Sequence, residues 1–582
     1  MASFDELVGR PDDWTTLFPQ QTADPEKQTF ELGLALGGTV SAGAYTAGVI
    51  DFLIEALDAW QNQAPTPNAP TWKVKLKVAS GTSGGGVTAA LLARTLSYQF
   101  PPIRKDSSQK DQTLNPFYRV WVKELDILKM LTNEDLDAQT IPSLLNPAPL
   151  DTCKNLIAHF EQAFPGLSKK KRTYVDNPFP IILTLTNLRG IPYQIDMGGR
   201  LSQEYIDHAD YQRLAVFSQG LDASYKLRPD ELGVSDDFVQ AAPGHIHWET
   251  AAEYALGTAA FPVGFPLRAL SKPVKQLRYR PFVVDDPLDP VKQGTVKWSY
   301  LTIPGTTLVN DQYNFLAADG GMVNNEPINL CRQVLAGYVV KNDRAGDEAR
   351  RAVLLIDPFA DKSDLGPKDK QDLFGAFGPL LNAWKEQARY DSRDLYLASN
   401  PHIFSRFMIT ATKLGSIPGG SNIATACASA FGGFLHEDYR RHDYLLGRQN
   451  CQQFLRETFC VHAHNPLVKD WVSQNPTDPL IFTGPDNVQS VKLIPLYGAC
   501  SSDELTVPFP VGRFGSDAHL PPNYQFALTT RIDKLVDKLK NNYLPTKWYE
   551  DIYILPIIHS TKEELLKSIN SWISDSLKKW GL

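Results

Sequence analysis

The chain has 582 residues, of which 43% are hydrophobic and 21% charged, and its formal net charge is −7. That balance excludes a disordered, collagen-like or coiled-coil protein and provides for a sizeable core, at roughly 100–200 residues per domain. The mild acidity lacks the strongly basic surface that nucleic acid requires, so no nucleic-acid partner is expected.

The one basic run, Lys169-Lys170-Lys171-Arg172, reads as a solvated loop. No stretch approaches the ~18 apolar residues of a membrane span. The N-terminus, MASFDELVGRPDDW, is acidic and has no apolar targeting region. A cytoplasmic protein is the expectation. Six cysteines without a CxxC pair read as buried free thiols, and the 42 prolines as fixed turns.

In chain order, residues 1–30 form an N-terminal arm. TFELGLALGG then reads as a strand ending in paired glycines, and AYTAGVIDFLIEALDAW as a helix, with Val49, Phe52, Leu53, Leu57 and Trp60 recurring at helical spacing. VKLKVAS (Val74–Ser80), GTSGGG and VTAALLARTL repeat the plan of strand, turn and helix. Residues 100–175 are a Pro-containing, partly helical insert. Strands follow in NPFPIILTLTNL (177–188), YNFLAADGG (313–321) and AVLLIDPF (352–359), with a helix in ETAAEYALGTAA.

This alternation predicts an α/β fold with a mainly parallel sheet over residues 31–360. Residues 361–582 form a mixed C-terminal extension. It starts with a helix around 371–398 and the Gly/Ser/Pro-rich LGSIPGGSN (414–422). The charged helical block HEDYRRHDYLLGRQNCQQFL (436–455), read as a salt-bridged face, comes next. Proline-rich loops and short β-like segments then run to about 558. A last helix begins near Ser560, where Ser560 and Glu563 fit a capping box.

Three constellations carry chemistry. Gly81-Thr82-Ser83-Gly84-Gly85 is a GxSxG between a predicted strand and helix, a turn that exposes a strained serine at a helix N-terminus. A Gly-rich turn or phosphate loop without a nucleophile is the plainer reading. The turn around Gly37, Gly38, Thr39 and Val40 offers consecutive backbone N–H groups that suit an oxyanion hole, or it is a packing turn. Asp319-Gly320-Gly321 sets a carboxylate at a strand end, as a base for Ser83 or as an Asx-type turn.

Taken in this order, with TLTNL (184–188), ALGTAAFPVGFP (255–266) and AADGGMVNNEP (317–327), these segments resemble the patatin-like phospholipase family. The resemblance covers about residues 29–360. It implies a three-layer patatin-like sandwich, with the extension packed on it, and lipid acyl hydrolysis by a Ser–Asp dyad. Ser83 would be the nucleophile and Asp319 its base. Backbone N–H groups of the Gly38–Val40 loop, with Gly84, would form the oxyanion hole, and Gly81, Gly85, Gly320 and Gly321 would shape the turns.

The substrate implied is a phospholipid or lysophospholipid, met by peripheral membrane contact. No metal or cofactor is expected. The loop departs from the family pattern, since Thr39, Val40 and Ala42 stand where two glycines and an arginine are common. β-Branched residues disfavour positive φ, so a less freely formed hole is expected.

Other readings stay open. His462, His464, His519 and His559 follow Asp319, in the order a Ser–His triad would need. Cys460-x-His462-x-His464 is a metal site or a plain loop. The apolar stripe Leu565, Leu566, Ile569, Trp572, Ile573, Leu577 and Trp580 docks on the core or lies in a lipid interface. A silent or regulated scaffold, or an acyltransferase, are the alternatives to a hydrolase.

Overall fold

The computed structural model describes residues 26–582, apart from positions 65, 223, 229, 278 and 581 and segments 138–139, 197–201, 237–243, 285–294, 302–311, 337–341, 360–387, 389–391, 413–421, 511–519 and 544–547. Most of the expected N-terminal arm, most of the helix around 371–398, all but Asn422 of LGSIPGGSN, and His519 lie outside the described residues.

A sheet of twelve strands organises the chain: β1 (Thr29–Leu36), β2 (Lys73–Gly81), β3 (Phe179–Asp196), β4 (Ser202–Val216), β5 (Glu231–Val234), β6 (His245–Ile246), β7 (Arg268–Pro273), β8 (Tyr279–Val284), β9 (Thr295–Leu301), β10 (Gln312–Asp319), β11 (Arg351–Ile356) and β12 (Arg406–Ile409). Its centre runs β12-β11-β1-β2-β3, every neighbour parallel. β10 lies antiparallel to β3, which brings Asp319 beside Leu185. Parallel strands need crossovers. The first is α1 (Gly43–Gln61), between β1 and β2, and α2 (Gly84–Thr95) leaves β2.

β1 is buried at all eight residues, as a central parallel strand covered on both faces must be. Leu32, Leu34 and Leu36 join the main core, while Ala35 joins a smaller cluster with Val78, Ile182 and Cys331. The smaller cluster is covered by α5 (Ile328–Ala336), so helices flank both faces, as expected. α3 (Ala148–Ala158), in the insert, and α4 (Trp248–Thr258) pack by the site described below. Contrary to the expectation that no stretch approaches a membrane span, Val40–Gln61, which contains α1, is long and apolar enough to cross one; it is buried within the protein, as a core helix is.

Four charged or C-terminal segments differ, wholly or in part, from expectation. The block 436–455 lies in α6 (Glu437–Glu457); it is salt-bridged, as expected, through Arg448 to Asp51, Glu55 and Glu504, but it is largely interior: Arg440, His442, Asp443 and Arg448 are all buried. The reason is a close helix crossing. A methyl group on Gly48 of α1 would collide with the Tyr444 carbonyl, and one on Gly447 with the Tyr45 carbonyl. Two backbones in such contact bury the face of α6 that crosses α1, while Glu437, Asp438 and Glu457 at its ends stay partly or fully exposed.

Within the basic run, Lys169 and Lys171 are exposed, as expected of a solvated loop, but Arg172 is not. Arg172 is 1% exposed and grips Asp58 of α1 through two hydrogen bonds of 3.0 and 2.9 Å, a tertiary pairing that sequence spacing does not display.

Between the short strands Cys460–His462, Ile481–Thr483 and Gln489–Lys492 and the last helix runs an additional helix, α7 (Tyr524–Tyr543), which was not expected. Its buried Tyr524, Leu528, Ile532 and Leu535 do carry helical spacing. The last helix, α8 (Trp548–Trp580), starts well before Ser560, which is therefore a mid-helix residue and not a cap. Ile573 and Leu577 of its stripe are buried against the protein, whereas Leu565 and Trp572 are about half exposed.

Candidate active site

The site lies where β1, β2 and β10 end. β2 stops at Gly81, and the chain turns sharply into α2. Ser83 sits at the turn with φ 53° and ψ −127°, a conformation that costs a non-glycine residue about 1–3 kcal/mol and holds its side chain at the head of the helix. The turn demands small residues because β1 passes directly beneath it. A methyl group on Gly85 would strike the Leu36 and Gly37 carbonyls, and one on Gly81 would meet the Gly85 carbonyl at 2.5 Å.

Ser83 Oγ donates a hydrogen bond to Asp319 Oδ2 at 2.6 Å across 236 positions of sequence. Neighbouring groups hold each partner. The Ser83 N–H donates to Thr258 Oγ1 of α4 at 2.9 Å. The other carboxylate oxygen, Asp319 Oδ1, accepts the Gly321 N–H at 2.7 Å, an Asx-type turn through Gly320. The Asp319 N–H donates to the Ala260 carbonyl, and Thr186 Oγ1 to the Asp319 carbonyl. The TLTNL and ALGTAAFP segments thus fix the dyad: Thr184 and Thr186 come from the first, Thr258 and Ala260 from the second. Thr184 Oγ1 also bonds Thr82 Oγ1 at 2.7 Å.

The Gly-loop passes beside the elbow. Val40 adopts φ 48°, so the left-handed turn forms despite the β-branched side chain; packing overrides the local preference. The Gly37 and Gly38 N–H groups are already committed, to the Ile356 and Asn325 carbonyls at 3.1 Å each. No hydrogen bond from the Thr39 or Val40 N–H occurs among the described residues. The usable donors are therefore those two and the Gly84 N–H in the first turn of α2, where helix N–H groups lack internal partners.

Ser83 and Asp319 are 6% and 5% exposed. They line a cavity of about 50 Å³ with Val40, Trp121, Cys153, Phe261 and Phe434. No histidine lines it. His462 instead pairs with Asp486 at 2.7 Å, and no metal-holding group of His, Cys, Asp or Glu occurs among the described residues. All six cysteines are free and buried. A larger cavity, about 470 Å³, lies near Thr29 and Lys73, where β1 and β2 begin, at the opposite strand ends from the dyad.

Sequence reading did not identify Phe434, Phe431 or Ser41 as part of the site. Phe434 comes from the C-terminal extension, and its neighbour Phe431 packs edge-to-face on Phe261 with ring centres 5.8 Å apart. Ser41, just after the Gly-loop, ties that segment down: Gly433 N–H donates to Ser41 Oγ at 3.0 Å, and the Ser41 N–H donates to the Ala430 carbonyl at 3.1 Å. Ala428, Ser429 and Ala430 all have positive φ, a strained run for residues that carry a Cβ. Ala428 N–H is held in turn by Ser576 Oγ of α8 at 2.6 Å.

The sequence profile of the Patatin-like phospholipase family matches residues 34–332, just over half the chain. An uncharacterised protein, y4iI, of Sinorhizobium fredii is 31% identical over 484 residues, 76% of this chain and 66% of that one; the chain thus spans slightly less than two thirds of that relative's length. The crystal structure of VipD from Legionella pneumophila aligns over 96% of this chain and 92% of its own, at 11% identity and a TM-score of 0.19, a value that supports no argument about fold. With its Gly-loop, GxSxG elbow and Asp-Gly-Gly turn all inside the matched span, the chain belongs to the patatin-like phospholipase family.

Proposed function

We propose that the protein is a serine lipid acyl hydrolase acting on phospholipid or lysophospholipid esters. One observation carries the reading: the 2.6 Å hydrogen bond from Ser83 Oγ to Asp319 Oδ2 within a largely apolar cavity. Ser83 Oγ attacks the ester carbonyl as its proton passes to Asp319. The tetrahedral oxyanion takes hydrogen bonds from the Thr39, Val40 and Gly84 N–H groups, donors worth most where water is excluded. Collapse breaks the ester C–O bond, the departing alcohol takes the proton from Asp319, and the acyl group stays on Ser83. Water, activated by the same carboxylate, then releases the fatty acid.

An ordinary carboxylate, with pKa ~3.9, is a weak base. Here it is buried and accepts directly from the serine hydroxyl, with no histidine between them. The substrate brings the protein to a membrane surface from the cytoplasm. Product analysis on mixed phospholipid vesicles, with wild type and Ser83→Ala, tests the reading; equal fatty-acid release by both would refute it.

A second reading is supported by the size of the cavity. Ligand pockets commonly hold about 300–1,000 Å³, far above the 50 Å³ found beside Ser83. The described conformation is closed, and the extension supplies part of the closure through Phe434. Activity in this reading is gated by movement of the segment around Ala428–Phe434. A fluorophosphonate that labels Ser83 fully and at once in the protein alone would argue against the gate.

A further inference from the structure

Thr39 has a property that its backbone role leaves unexplained. The residue is fully buried, yet its hydroxyl has no hydrogen-bond partner. Buried hydroxyls are ordinarily satisfied, and an orphan in a well-packed site calls for a functional account. Its position supplies one. A methyl group built on Gly84, the residue after the nucleophile, would collide with Thr39 Oγ1. Gly84, Ser83 and Val40 line the same small cavity.

We propose that the Thr39 hydroxyl is a catalytic donor, hydrogen-bonding the oxyanion that forms when Ser83 adds to the ester carbonyl. The proposal rests on the hydrolase reading and goes beyond it, from backbone donors to a side chain. The Gly38 N–H is spent on Asn325, so the hole lacks a donor that an open Gly-loop would offer. A hydroxyl beside Gly84 replaces it. It can rotate its O–H toward the developing charge at little cost, because it breaks no existing bond. The six-membered ring of the Trp121 indole lies against Gly84 and Gly43 and walls this corner off from solvent.

The orphan state makes the test two-sided. Thr39→Val keeps the shape and removes the hydroxyl. It should lower kcat on a short p-nitrophenyl ester on the order of 10²-fold with little change in KM, the mark of a contact made only in the transition state. Urea unfolding of the same variant should occur at an equal or higher midpoint, since no protein bond is lost and a buried polar group is removed. Thr39→Ser, which restores the hydroxyl, should recover most of the lost rate.

A Thr39→Val enzyme as fast as wild type overturns the proposal. So does a variant whose rate falls only in step with a lowered midpoint, because the hydroxyl would then have an internal, structural partner. If wild type neither turns over esters nor labels at Ser83 even in the presence of mixed phospholipid vesicles, the hydrolase reading fails and this proposal with it. If wild type is active and Thr39→Val matches it, only the assignment to Thr39 is lost.

Discussion

Arg448 Nη1 lies 2.6 Å from Asp51 Oδ2, with both side chains fully out of water. The same guanidinium reaches Glu55 and Glu504, the latter at 3.0 Å. One cation from the C-terminal extension thus bridges carboxylates of α1 and of the chain near residue 504, and Arg104, paired with Glu55 and Glu504, adds a second positive charge. Burial alone would disfavour the Arg448 charge, but these acids hold its pKa well above the ordinary arginine value. Breaking a buried pair by removing one partner costs about 3–5 kcal/mol, because the other charge is stranded. Arg448→Met should therefore unfold at a much lower urea concentration than wild type. An unchanged midpoint would show that water reaches the carboxylates.

Ser83→Ala should reduce ester turnover to background, with far-UV circular dichroism unchanged. Asp319→Asn should cost on the order of 10³-fold or more in kcat, since the amide cannot take the serine proton. The two losses should not add in the double variant, because the pair acts as one unit. A double variant much slower than either single one would separate their roles.

Ser41 holds the Ala430–Gly433 segment to the Gly-loop, and Phe434 narrows the cavity. Phe434→Ala should raise kcat/KM several-fold for long-chain esters and change short-chain esters little. It should also lower stability by up to about 3–5 kcal/mol, as large-to-small changes in packed sites do. Equal effects on both chain lengths would mean that Phe434 does not limit access.

Burial pushes every described cysteine toward its thiol form: Cys331, Cys460 and Cys500 up to about 12, and Cys153, Cys427 and Cys451 higher still. The thiolate is the reactive species. Iodoacetamide at pH 8 should therefore leave the native protein unmodified and alkylate all six residues in urea. Rapid native labelling at Cys153, in the cavity beside Ser83, would reveal an open state.

The motifs of the candidate site were legible because they are local. Gly81–Gly85 and Asp319–Gly321 are turns whose small residues answer to backbone crowding within a few positions. The strands that lead into them, β2 and β10, alternate buried and more exposed positions and become continuously buried only in the last residues before the turns. The His462 alternative could not be removed from sequence alone, since chain order allows it; its partnership with Asp486 removes it from the dyad.

What escaped reading were pairings over long separations. Arg172 looked like part of a solvated run until Asp58 was seen beside it. Arg440, which donates to the Val122 and Gly433 carbonyls, looked like surface charge, although burial lowers its pKa to about 10. α6 has the composition of a surface helix, and only the Gly48–Tyr444 approach shows why it is inside.

By itself the sequence determined the α/β core, the elbow at Ser83 and the carboxylate at Asp319, because short-range sterics and hydrophobic patterning demand particular residues at particular spacings. The tertiary structure alone decided which loop donors are free, that Thr39 is an unpartnered hydroxyl, and that Phe434 closes the cavity. Those properties depend on which distant groups come into contact, and a buried charge or hydroxyl takes its meaning from its partners, which no local pattern encodes.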